Sequence, residues 1–108
     1  MVKRKISKKL KEKINEYVKI LKKDKLPIKK VVLFGSYAKG KQNKWSDVDL
    51  CIVSPKFKDP FEAMQYLSLK TSFDMKYAIE PVGFSVKDFK QGSILINEIK
   101  RTGVEMSI

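Results

Sequence analysis

Two short runs of β-branched and aliphatic residues, Val31-Val32-Leu33-Phe34 and Val48 to Val53, constrain this chain more than any other feature. Each is too short for a buried helix and rich in Val, Ile and Leu, so each reads as a buried strand. Gly35 stops the first run and Ser54-Pro55 closes the second. A sheet of such strands must be covered, and the flanking sequence supplies the cover. Leu10, Ile14, Val18 and Leu21, with Tyr17 filling in, recur at helical spacing, with Ser7 as N-cap and a stop between Asp24 and Pro27. Pro60 to Leu69 reads as a second helix with Pro60 in its first position and Phe61, Met64, Leu67 and Leu69 as its apolar positions. Tyr77 to Phe84 returns to strand character, and Pro81 inside it argues for an edge or irregular strand. Ile94, Leu95, Glu98, Ile99 and Arg101 fit a closing helix stopped by Gly103. The order helix, strand, strand, helix, strand, helix predicts the α/β class, a small mixed β-sheet with helices packed on it. With 108 residues, a single domain over 1–108 is expected.

Composition removes several function classes. The chain has no His, so Ser-His and Cys-His catalysis and the usual zinc sites are excluded. Cys51 is alone and forms no intrachain disulfide. No apolar stretch approaches the roughly 20 residues of a membrane span, and Lys residues interrupt the place where a signal peptide's apolar core should follow. A cytoplasmic chain with no membrane partner is expected. The net charge of +12 is uneven: residues 1–30 hold 13 basic and 3 acidic side chains, a net +10. That segment could draw in an acidic protein or a nucleic acid. Because it is nearly all Lys, with Tyr17 as its one aromatic, a solvated helix face is the favoured reading and nucleic acid is not.

The chemistry concentrates in residues 35–53, GSYAKGKQNKWSDVDLCIV. A strand feeds Gly35-Ser36, and ten residues later Asp47 and Asp49 stand at the start of the next strand, on the same face because strand side chains alternate. Two neighbouring carboxylates repel, and a divalent cation relieves the repulsion; oxygen ligands favour Mg²⁺ or Mn²⁺. Gly35 permits close backbone approach, and Ser36 offers a hydroxyl and an N–H to a phosphate. The segment Gly35 to Lys41 also matches most of a P-loop. That match fails at Gln42, where a P-loop needs Ser or Thr, and the aspartates begin an apolar strand rather than ending one.

The pattern Gly-Ser, ten residues, Asp-x-Asp, carried by Gly35, Ser36, Asp47 and Asp49, resembles the minimal nucleotidyltransferases of the polymerase-β-like superfamily. Ala38-Lys39-Gly40 and Ser46 also look like that family. The resemblance implies the polymerase-β-like nucleotidyltransferase fold and transfer of AMP from ATP to a hydroxyl. It implies Mg²⁺ or Mn²⁺ on Asp47, Asp49 and a third carboxylate from a later strand. Glu80 is the best match for the third, since it alone interrupts an apolar strand-like run, and Asp74 is the runner-up. Gly35 and Ser36 would hold the triphosphate, with Lys39 and Lys41 as neutralising cations. Minimal members resemble antitoxins that silence a HEPN-domain ribonuclease toxin by binding it and adding AMP to a tyrosine, so a HEPN protein is the implied partner. A non-catalytic binding module, or a subunit modifying a small molecule or an RNA end, stays open at this point.

Overall fold

The computed structural model describes residues 6–43, 46–71 and 77–107. The elements are α1 (Lys8–Lys23), β1 (Lys30–Phe34), α2 (Ser36–Lys39), β2 (Val48–Val53), α3 (Pro60–Leu69), β3 (Ile79–Phe84), α4 (Val86–Gln91), α5 (Ile94–Thr102) and β4 (Val104–Met106). The strands form one sheet in the order β3-β2-β1-β4, with β1 antiparallel to β2 and β4, and β2 parallel to β3. This is the mixed sheet with packed helices that the sequence leads us to expect. No helix among the described residues is long and apolar enough to cross a membrane.

Strand alternation divides the core into two layers. Val31, Leu33, Val48, Leu50 and Ile52 point to one face and are covered by α1, α2 and α3 through Leu10, Ile14, Tyr17, Val18, Leu21, Ala38, Ala63 and Leu67. Val32, Cys51, Val53 and Phe84 point to the other and are covered by Phe89 of α4 and Ile96 and Ile99 of α5. The stripe expected for α1 is thus its buried face, and Ser7 caps it by accepting from the Leu10 N–H at 3.1 Å. The Tyr17 hydroxyl, buried against α3, donates to the Leu67 carbonyl at 2.7 Å. Pro81 lies on β3, an edge strand, where a missing backbone donor is tolerated.

Three expectations need correction. The four-residue α2, the six-residue α4 and the three-residue β4 go beyond the expected element order, because elements this short carry no full period of apolar residues. In α5 the buried pair is Ile96 and Ile99, while Ile94 and Leu95 are exposed. In α3 the buried pair is Ala63 and Leu67, whereas Phe61, Met64 and Leu69 face outward. The cause lies in β3. A Cβ on Gly83 would fall 2.7 Å from the Phe57 ring, 2.8 Å from the Ala63 Cβ and 2.9 Å from Leu67 Cδ1. Only glycine admits α3 at this depth, and α3 turns its smallest apolar residue to meet it. Gly83→Ala is expected to overpack this contact and cost about 1–3 kcal/mol, read as a lowered thermal midpoint.

Candidate active site

Strand register brings the acidic residues together. Asp49, second in β2, lies opposite Phe34 of β1 and beside Glu80, second in β3. Asp47 stands one residue before β2. The Asp49 and Glu80 side chains share the sheet face covered by α4 and α5, because they alternate with the inward residues of the other face. Burial, and then repulsion from Asp47, push the Asp49 carboxyl above its ordinary pKa. Glu80 is pushed up first by a hydrogen bond that its protonated form donates to Asp47, then by burial and by the charges of Asp49 and Asp47. Three carboxylates therefore stand at one end of the sheet, with Asp47 making ionisation of Asp49 harder and both aspartates making that of Glu80 harder. Asp74 lies outside the described residues.

Gly35 is fitted to this cluster. Its φ of 75° and ψ of −155° belong to a region that side-chain-bearing residues avoid. A Cβ there would stand 2.0 Å from Asp49 Oδ2 and 2.9 Å from its Cγ. The glycine thus admits the Asp49 carboxylate itself, a closer approach than the phosphate contact that motif spacing alone suggests. The Gly35 carbonyl accepts from the N–H groups of Ala38 and Lys39, each at 3.1 Å, and starts α2. Ser36 opens α2, half-buried, and its carbonyl accepts from the Lys41 N–H at 2.9 Å. The β1–Gly35–α2 turn therefore leads through a single helical turn into an antiparallel strand, which is not a P-loop arrangement.

Lys39 and Lys41 part company. Lys39 reaches α5, where its Nζ lies 3.5 Å from Glu98 Oε1, and Glu98 also binds Arg101. Arg101 first, and then Lys39, hold the Glu98 carboxyl below its usual range. Lys41 is exposed beyond the left-handed Gly40 that ends α2. Glu98 is a neighbour of the motif's turn that the motif does not reveal, and on the other core layer the rings of Tyr37, in that turn, and Tyr77 pack 6.3 Å apart. Glu98 and Tyr77 stand far from the motif in sequence, and only the fold joins them to it.

The donor set is all oxygen, which suits Mg²⁺ or Mn²⁺. Among the described residues no three acidic, Cys or His side chains are already gathered into a metal-holding group. Mg²⁺ does not require one, since it binds through one or two carboxylates together with waters and substrate phosphates. The residues fit such an ion by charge and chemistry.

A family model described as a nucleotidyltransferase domain matches residues 4–104. The chain belongs to this family. A Methanocaldococcus jannaschii protein provisionally named a protein adenylyltransferase is 40% identical over 63 residues, 54% of this chain and 62% of that protein. A second protein of that organism with the same provisional name is 32% identical over 100 residues, 86% of this chain and 98% of its own length. Of solved structures, a toxin–antitoxin with AMP-PNP shares the fold at a TM-score of 0.63 and 23% identity, covering 88% of this chain and 70% of that one. The nucleotidyltransferase fold and the enzyme class expected from Gly35-Ser36 and Asp47-x-Asp49 are thereby established.

Proposed function

We propose that this nucleotidyltransferase transfers AMP from ATP to a hydroxyl of a protein, a tyrosine of a HEPN-domain ribonuclease partner, and so acts as an antitoxin. The observation that carries the chemistry is the register that sets Asp49 beside Glu80, with Asp47 two residues before Asp49 and Gly35 beneath Asp49. The protein acceptor is supported by the names of the two Methanocaldococcus relatives, and the antitoxin role by the fold shared with the toxin–antitoxin structure.

Asp47, Asp49 and Glu80 would hold Mg²⁺ or Mn²⁺, which when bound supplies positive charge to the triphosphate and acidity to the acceptor hydroxyl. Gly35 and Ser36 receive the β- and γ-phosphates, Lys39 and Lys41 lie on the same turn to balance their charge, and Glu80 orients the acceptor. The acceptor oxygen bonds to the α-phosphorus as the bond from that phosphorus to the bridging oxygen breaks. Pyrophosphate leaves with the bond's electron pair. Glu80 accepts the hydroxyl proton.

The test is incubation with α-labelled ATP, Mg²⁺ or Mn²⁺, and the protein encoded beside this chain. Metal-dependent label on a tyrosine of that protein is expected; label on RNA or a small molecule, or no label, refutes the reading. Ser36→Ala should lower kcat/KM by the equivalent of about 1–3 kcal/mol, since it removes one contact to a charged phosphate. A covalent nucleotide on Ser36 would show that the hydroxyl is a nucleophile instead.

A further inference from the structure

The outward face of α3 carries three large apolar side chains among its polar ones. Ala63 and Leu67 occupy its inner face against Gly83, yet Phe61 is 60%, Met64 40% and Leu69 84% exposed. At 100° per residue, Met64, Phe61 and Leu69 lie on an arc of about 140°, with exposed Ser68 and Gln65 between them, that begins at the margin of the buried face and reaches its opposite side. Among the described residues nothing covers these three side chains. One exposed apolar side chain needs no explanation, but three along one arc of a helix mark an interaction surface.

Topology places this face. Because β2 and β3 run parallel, α3 must carry the chain from the C-terminal end of β2 back to the N-terminal end of β3. Its last turn, with Leu69, therefore lies toward the end of the sheet where Glu80 stands. The strand beneath it is the sheet's edge. A protein docked on α3 therefore starts from the face opposite the carboxylates and passes the β3 edge to reach them.

Charge selects the occupant. Asp24 binds Tyr66 and, at 3.5 Å, Lys70, which draws the Lys22, Lys23 and Lys25 corner alongside α3, and Lys56 and Lys58 precede the helix, so that lysines outnumber the acidic Asp24, Asp59 and Glu62 beside them. A second copy of this +12 chain would bring like charges to the same place. A groove bordered by Asp and Glu has the complementary charge. We propose that α3 docks into an apolar, acid-rimmed groove of a partner protein, with Phe61, Met64 and Leu69 as its anchors, and that this partner carries the hydroxyl to be modified. The second half rests on the function proposed above; the docking does not.

The experiment measures binding of the full chain to the purified protein encoded beside it, by calorimetry and sedimentation, and transfer of label in parallel. Phe61→Glu and Met64→Glu should each weaken binding by about thirtyfold, and Leu69→Glu by about tenfold. Phe61→Leu should retain most of the affinity, and all four variants should keep the wild-type circular dichroism, since the positions are exposed. Raising salt from about 0.1 M to about 1 M should weaken the complex by screening its basic rim. In transfer, the Glu variants should raise KM for the protein acceptor and leave KM for ATP unchanged. Asp47→Asn/Asp49→Asn should bind like wild type, so binding of the wild-type chain without any labelling refutes the proposed function and leaves the docking standing. The docking is overturned by no complex, by Glu variants that bind normally, or by self-association of the chain that Phe61→Glu abolishes.

Discussion

Changing Asp47 and Asp49 together to Asn is expected to abolish nucleotide transfer while leaving the fold intact or firmer. On the function proposed above the loss should be about 10³-fold or more, because removing both carboxylates would remove the means of holding a divalent cation against the triphosphate. Stability should move the other way. Asp49 has a raised pKa from burial and then from the Asp47 charge, and Glu80 from its hydrogen bond with Asp47 first, then burial and the two aspartate charges, so their ionised forms weigh against the folded chain. A carboxyl raised in the folded state stabilises below its unfolded pKa and loses that contribution as pH rises through the folded value. The metal-free wild type should therefore gain stability relative to the double variant as the solution is acidified from neutrality. At neutral pH the variant should melt at the same temperature or higher. Thermal melts across that pH range, with transfer assays on the same samples, check both halves. A variant that transfers normally removes Asp47 and Asp49 from the chemistry.

The same crowding explains why the centre of this molecule is legible in its sequence. Repelling aspartates at a strand start, and a glycine–serine turn after a buried strand, serve no packing purpose, so their joint spacing points to chemistry. The α1 stripe is legible for the opposite reason: Leu10, Ile14, Tyr17, Val18 and Leu21 serve packing alone, and all are buried. Pro81 announces an edge strand because a proline removes one ladder donor. Glu80 ranks above Asp74 by its strand setting, and register sets it beside Asp49.

What sequence reasoning misses depends on contacts between distant segments. The face α3 buries is decided by Gly83, some twenty residues downstream of Ala63, and local periodicity favours the larger Phe61 and Met64 instead. β4 has three residues and exists through its pairing with β1. The Lys39–Glu98 contact joins the motif's own turn to the penultimate element of the chain. In each case the local pattern is compatible with several arrangements, and a tertiary neighbour chooses one.

Gly35 shows how much one such neighbour can carry. Replacing it with Ala is expected to damage the site more than Ser36→Ala does. Two costs combine. The backbone at φ 75° and ψ −155° lies where a Cβ is strained, worth about 1–3 kcal/mol of stability. The new methyl would also stand 2.0 Å from Asp49 Oδ2, so either the carboxylate or the turn must move. The Asp49 side chain is the freer of the two, because the backbones of β1 and β2 are locked by paired residues from Lys30↔Val53 to Phe34↔Asp49. It should swing from the cluster, and a displacement of about 1 Å at a reacting centre can cost about 10²-fold in rate. Gly35→Val should cost more, since its branched Cβ adds two further methyl groups to the same crowded space. Thermal melts and transfer rates separate the two costs. Backbone strain lowers the melting temperature, whereas a displaced Asp49 lowers metal-dependent transfer far more than it lowers affinity for ATP alone. Wild-type transfer by Gly35→Ala would mean that the Asp49 carboxylate does not need the place the glycine keeps open.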